Sequence, residues 1–218
     1  MADDGDGHGG LGLRERKKRQ TAIKVWRTAA DLFLEHGYDE VSVAQIAEAA
    51  DVSKMTVFNY FKTKEDLLMG PMEEHVEDLA RAIGERPPGS SAVDAARAMV
   101  LRKIADRDPS VGLSEQGNEL ALIQLIHRTP ALARRALLWA VRGERAAAEA
   151  LAAETGDRLL SAVAAAQLSG VVSALISDNH RRILAGESPG EVAADAAERA
   201  ERAFALVDNG LSGFAVRA

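Results

Sequence analysis

Residues 42–61 read SVAQIAEAADVSKMTVFNYF, and this stretch decides the fold. Val43, Ile46, Ala47 and Ala50 recur at helical spacing and form the inner face of a short helix. Ser42 opens it. Its hydroxyl can accept from the amide of Gln45 while the Gln45 side chain reaches back, a capping box. Ala47 and Ala50 are small enough for another helix to cross closely. Asp51-Val52-Ser53 is a tight turn with Val52 as an apolar plug, and Ser53 caps a further helix, Lys54–Phe61. In that helix Val57, Phe58 and Phe61 are expected to point inward, leaving Lys54, Met55, Thr56, Asn59 and Tyr60 on the other side or its flanks. A helix this short does not persist alone. Its aromatic residues must anchor it, and its outward side chains then sit on a rigid element. Taken in isolation, those side chains are equally the exposed residues of an ordinary packing helix.

The surroundings favour the first reading. Upstream lies a basic run in which Arg14, Arg16, Lys17, Lys18, Arg19, Lys24 and Arg27 face one acid, Glu15. The whole chain carries a formal charge of −6, which argues against nonspecific coating of nucleic acid. The positive charge is instead gathered at one end. A first helix is expected from about Arg16 to His36, with Ala22, Val25, Ala29, Leu32, Phe33 and His36 on one face. Gly37 follows as its terminator. Residues 1–13, rich in Gly and Asp without apolar periodicity, read as a disordered tail.

With those residues in place, EHGYDEVSVAQIAEAADVSKMTVFNYFKTKEDLL resembles the DNA-binding domain of the tetracycline-repressor (TetR) family. The likeness lies in the basic lead-in, the A-x-x-LF-x-x-x-GY pattern, S-V-x-x-I-A-x-x-A-x-V-S, T-V-F-x-Y-F and the closing K-E-D-L-L. It covers about residues 14–70. Two departures are visible. Asp51 stands where the turn usually carries Gly, and Asp tolerates left-handed geometry better than most residues. Lys62 stands where Pro is common. The resemblance implies an all-α protein of about nine helices, with a helix-turn-helix domain over residues 14–66 and a ligand-binding and dimerisation domain over 67–218.

Thr63 and Asp66 form a capping pair for a fourth helix reaching about Gly84, with a kink or break expected at Pro71 because proline lacks the donor and clashes with the preceding turn. In the family this helix joins the two domains, so Pro71 is a candidate hinge. Residues 85–91, ERPPGSS, are a loop. Further helices are expected at about 92–106, 114–128, 130–154, 158–185 and 189–209. Leu159–Ser177 has no charged residue and approaches the length of a membrane span, but Gln167, Gly170 and its serines favour a buried core or interface helix. The N-terminus lacks the pattern of a secretory signal, and the absence of cysteine fits a reducing, cytoplasmic setting.

No metal-binding histidine pair, P-loop or dinucleotide fingerprint is present, so neither catalysis nor a cofactor is expected. Met99, Leu120, Ile123, Gln124, His127, Leu138 and Trp139 are the set that a mostly apolar pocket with a few polar groups needs, although each alone is more readily a plain core residue. Leu168, Val171, Val172, Leu175, Phe204 and Val207 are the expected dimer contacts, since relatives pack their last two long helices into a four-helix bundle.

The expected function is a homodimeric DNA-binding regulator released from a palindromic operator by a small, largely apolar effector, with no membrane partner. Lys54, Thr56, Asn59 and Tyr60 would face the DNA, Asn59 being suited to adenine, Thr56 to a thymine methyl or a phosphate, and Lys54 to phosphate. Lys62, Lys64, the Arg14–Arg19 arm, Ser42 and Ser53 would meet phosphate. An activator, a ligand-independent regulator and a helical interaction protein remain the alternatives.

Overall fold

The computed structural model describes residues 12–113, 117–208 and 210. The expected tail lies almost entirely outside them. Among the described residues the regular structure is all helical: α1 (Leu13–His36), α2 (Val43–Ala49), α3 (Lys54–Tyr60), α4 (Asp66–Met69), α5 (Asp78–Gly84), α6 (Ala92–Ala105), α7 (Gly117–Arg128), α8 (Pro130–Thr155), α9 (Arg158–Leu184) and α10 (Pro189–Asp208). Short 3-10 turns occupy Gly70–His75 and Pro109–Val111. The expected fourth helix is divided at Pro71. Its halves are α4 and α5, and counting them together gives the nine helices anticipated.

The chain forms two compact units, divided between Gly70 and Pro71. In the first, Val25, Ala29 and Phe33 of α1 pack with Ile46, Ala47, Val57 and Phe61, all buried. The unit extends through α4 because Leu67, Leu68 and Met69 are buried too. The Trp26 indole Nε1 donates to the Leu68 carbonyl at 2.9 Å and so ties α1 to α4. Gly37, at φ 89°, ends α1 by donating its N–H to the Phe33 carbonyl. His36 is exposed, beside Glu35, rather than on the packed face, because the helix has already passed the end of the core at Phe33.

In the second unit α8 and α9 run alongside each other, α5 lies on α8, and α10 packs on α6 and α9. Their common core includes Ile83, Ala96, Val100, Leu113, Ala147, Ala165, Leu168, Val192 and Phe204. Ser91 with Asp94 caps α6, and Asp157 caps α9. Gly156, at φ 73°, makes the left-handed turn between the two longest helices.

Candidate nucleic-acid interface and effector cavity

The α2–α3 unit is built from its caps. The Gln45 amide donates to Ser42 Oγ at 3.2 Å, and the Ser42 amide donates to Gln45 Oε1 at 2.8 Å, completing the capping box. At the far end the Asp51 N–H meets the Glu48 carbonyl at 3.0 Å and the Val52 N–H meets the Ala47 carbonyl at 2.9 Å. This is the Schellman arrangement, which needs a left-handed residue at its pivot. Asp51 supplies it at φ 52°. The Thr56 amide then donates to Ser53 Oγ at 3.0 Å, starting α3.

Burial of Val57 and Phe61, worth ~1.5–3 kcal/mol for each such side chain, holds a helix of seven residues that would not persist alone. Phe58 does not join them. It is 41% exposed, contrary to the inward position expected for it. At 100° per residue it stands a quarter-turn away from Val57, whereas Phe61 returns to nearly the same line. The outward stripe of α3 is therefore Met55, Phe58 and Asn59, all exposed, with Lys54 beside it. The Lys54 ammonium lies 5.9 Å from the centre of the Phe58 ring. Lys62 is exposed just beyond. Thr56 and Tyr60 are half-buried on the flank, and the Thr56 hydroxyl is 2.8 Å from Ser53 Oγ, so it belongs to the cap. Ser42 and Ser53 are exposed at their helix starts.

Lys64 is placed differently from the other basic residues. Its ammonium sits 4.3 Å from the centre of the Tyr38 ring and 5.6 Å from that of Phe33, covering the aromatic pair. Burial, reinforced by Glu65, pushes the Tyr38 phenol above its ordinary range, so it stays neutral. The basic arm is also not extended. Residues 14–19 are the first turns of α1, as the helix preference of Arg, Glu and Lys allows. Arg16, Lys17, Lys18 and Arg19 are exposed, while the Arg14 side chain lies outside the described residues. Around the helix, Lys17 and Lys24 come to one line, seven residues apart.

The second unit contains a cavity of about 250 Å³. Val76, Leu79, Met99, Val100, Trp139 and Ile176 supply apolar wall, and Lys103, Asp78, His75 and Ser110 form a polar cluster at one side. Of the residues expected to line it, Met99 and Trp139 do so. Leu120, Ile123, Gln124 and His127, on α7, do not, and Leu138 is on the exposed side of α8. The His127 ring instead meets His180 edge-on, with centroids 6.1 Å apart. Burial, with His127 adding to it, lowers the His180 pKa to about 4.

The polar cluster was not legible in sequence because its members are joined across elements. Lys103, only 9% exposed, donates to Asp78 Oδ2 at 2.5 Å and to Ser110 Oγ at 2.6 Å, and its ammonium lies 3.3 Å from His75 Nδ1. Asp108 is 3.8 Å from the same ammonium. Burial would raise the Asp78 carboxyl, but hydrogen bonds from Lys103 and His75 outweigh it and hold the group below its usual range. A larger, charged recess of about 500 Å³ shares His75, Asp78, Met99 and Lys103 with the cavity.

The expected dimer residues differ in their exposure. Leu168 and Phe204 are fully buried in the subunit's own core, and Val171, Val172, Leu175 and Val207 pack partly against it. The helical period turns a different set outward on α9. Leu159, Val163, Ala166, Gly170, Ser173 and Ser177, spaced alternately by four and three residues, are all exposed. By length and composition α9 could cross a membrane.

Residues 26–69 match the family of bacterial regulatory proteins named for tetR. The HTH-type transcriptional regulator TcmR of Streptomyces glaucescens is 34% identical over 150 residues, which are 67% of this chain and 66% of that protein. The HTH-type transcriptional repressor LfrR of Mycolicibacterium smegmatis is 35% identical over 46% of this chain and 50% of its own length. The chain thus spans about half to two thirds of these relatives. In fold it resembles NalD, the secondary repressor of the MexAB-OprM multidrug efflux pump of Pseudomonas aeruginosa, with a TM-score of 0.56 at 20% identity over 87% of this chain and 96% of that one. SmeT in complex with triclosan matches with a TM-score of 0.57 at 17% identity over 85% and 90% of the two chains.

Proposed function

Because the chain belongs to the tetR family of bacterial regulatory proteins, we propose that it is a homodimeric repressor whose α3 helices enter the major groove of a palindromic operator and whose cavity takes the small effector that releases it. The observation that carries this reading is α3 itself: capped by Ser53, anchored by Val57 and Phe61, and exposing Lys54, Met55, Phe58 and Asn59 on one rigid face. Asn59 offers the donor–acceptor pair that adenine presents in reverse, and Phe58 and Met55 suit thymine methyl groups. Lys62 and the basic first turns of α1 suit phosphate, which gives register and affinity rather than sequence.

A second copy covers the outward stripe of α9. Its alternating four-and-three spacing is that of a coiled-coil seam, and Ala166 and Gly170 allow close approach of a partner helix. An uncharged helix face that carries the hydroxyls of Ser173 and Ser177 is better accounted for by such a seam than by a bilayer. Two-fold pairing would place two α3 helices about 34–36 Å apart, or a multiple, to read successive half-sites. The effector must bind the released state better than the DNA-bound one. A coupling of ~1–3 kcal/mol changes operator affinity roughly 5–150-fold. The Pro71 break is the proposed hinge.

Selection of bound sequences from random DNA, followed by footprinting, tests the reading. A two-fold symmetric footprint that loses its sequence preference when α3 is altered is expected. Absence of any selected sequence rejects it.

A further inference from the structure

We propose that the effector is a compact, uncharged, largely apolar molecule bearing a carbonyl oxygen, and that this oxygen replaces His75 Nδ1 on the Lys103 ammonium. This rests on the reading above that the cavity beside Lys103 is the effector site.

An ammonium has three donors, and those of Lys103 point to Asp78, Ser110 and His75. The bonds to Asp78 and Ser110 are short. The contact with His75 is the longest at 3.3 Å, and the imidazole is the most open partner, with 42% of its side chain exposed. His75 Nδ1 is also 3.0 Å from Asp78 Oδ2. To accept from Lys103 that nitrogen must be bare; to donate to Asp78 it must carry a proton. It cannot do both, so the third Lys103 hydrogen is the one whose partner is exchangeable.

Charge then selects the head group. Lys103 already faces two carboxylates, Asp78 and Asp108, and Glu144 also lines the cavity. A carboxylate ligand would bring further negative charge to a cation already matched, and a cationic ligand would meet Lys103 itself. A neutral acceptor incurs neither cost and satisfies the donor. Size and wall chemistry select the body. The cavity, at about 250 Å³, exceeds the roughly 150 Å³ that accommodates benzene, and the apolar walls and Trp139 favour a compact ring system. Displacement has a consequence, because His75 closes the 3-10 turn that contains Pro71. An effector that takes its place removes a tie between that turn and α6.

Calorimetric titration of the intact protein with four probes on one bicyclic frame tests the proposal: tetralone, tetralin, tetralin carboxylate and aminotetralin. Tetralone should bind roughly tenfold tighter than tetralin, as a hydrogen bond to a charged donor supplies, and tighter than either charged probe. Strongest binding of a charged probe, or binding of none, overturns the proposal. His75→Ala should tighten tetralone binding several-fold and leave tetralin unchanged; an unchanged or weakened tetralone affinity overturns the exchange. The paired Lys103→Met, Asp78→Asn variant, which leaves neither partner of that bond charged, should lose the preference for tetralone over tetralin. Retention of it overturns the role of Lys103. Should that variant not fold, His75→Ala, altering an exposed side chain, decides the matter alone. These titrations contain no DNA. A chain that takes tetralone but no operator rejects only the regulator reading, and one that binds operator but not tetralone rejects only this inference.

Discussion

Gly143 of α8 lies against the backbone carbonyl of Val76, so closely that a Cβ at Gly143 would stand 2.4 Å from that oxygen. The neighbouring Arg142 donates to Glu73 at 2.6 Å and to Glu77 at 3.0 Å. Two consecutive residues of α8 therefore seat the segment that follows Pro71. Gly143→Ala should cost ~1–3 kcal/mol by overpacking a site with no give, because the obstacle is backbone. Urea unfolding would read it; a loss within ~0.5 kcal/mol would mean that the 73–77 segment shifts freely from α8.

Asp51 holds the left-handed pivot of the α2–α3 turn at φ 52°. That geometry costs an ordinary L-residue about 1–2 kcal/mol, less for Asp, and costs Gly nothing. Asp51→Gly should raise thermal stability by ~0.5–1 kcal/mol, whereas Asp51→Val should lower it. Equal melting temperatures for the two variants would show that the turn does not limit stability.

Asn59 is the exposed amide of α3. Asn59→Ala should cost ~1–3 kcal/mol on the preferred sequence and relax one base position. A selected-site profile identical to that of the parent protein would remove Asn59 from the reading face.

Lys17 and Lys18 are exposed in the first turns of α1. Replacing both with Ala should weaken binding to every sequence alike and flatten the log–log salt dependence by ~0.9 for each phosphate no longer neutralised. An unaltered slope would make these lysines merely solvated. Because the segment is helical, Lys24 rather than Lys18 shares the line of Lys17, so the slope change for Lys17 with Lys24 should equal or exceed that for Lys17 with Lys18.

His180 has its pKa depressed to about 4 by burial and by His127. Between that value and the ordinary 6.5, the unfolded chain binds a proton that the folded chain refuses. Stability from this group is therefore complete above the ordinary value and is lost as pH falls through the window, by about 2 kcal/mol at pH 5. His180→Asn should flatten the decline of the urea midpoint between pH 7.5 and 5. An unchanged decline would place the acid-sensitive group elsewhere.

The elements were legible because local chemistry sets them. Ser42 with Gln45, Ser53, Gly37 and Pro71 mark helix ends that appear where expected. Phe58 was misplaced because it stands a quarter-turn from its neighbour Val57, and the sequence does not say which of two adjacent apolar residues the core admits. Burial of Leu168 and Phe204 within the subunit was hidden for a related reason. On an apolar helix such as α9 every side reads as buried, and only the neighbours α6, α8 and α10 show which side is already covered. The cavity was the least legible. Met99 and Trp139 reach it, but its walls are gaps between helices, and a gap has no sequence pattern.

The sequence by itself determined the helices, their caps, the basic first turns and the α2–α3 unit, because capping, helical period and turn geometry act within a few residues. The tertiary structure alone decided that Lys103 of α6 would meet Asp78 of α5, His75 and Ser110, that α9 would turn its small residues outward, and that the outward stripe of α3 would centre on Met55, Phe58 and Asn59. Those outcomes depend on which faces the core leaves free and on burial of a charge that needs partners from distant elements, and neither is fixed until the helices have packed.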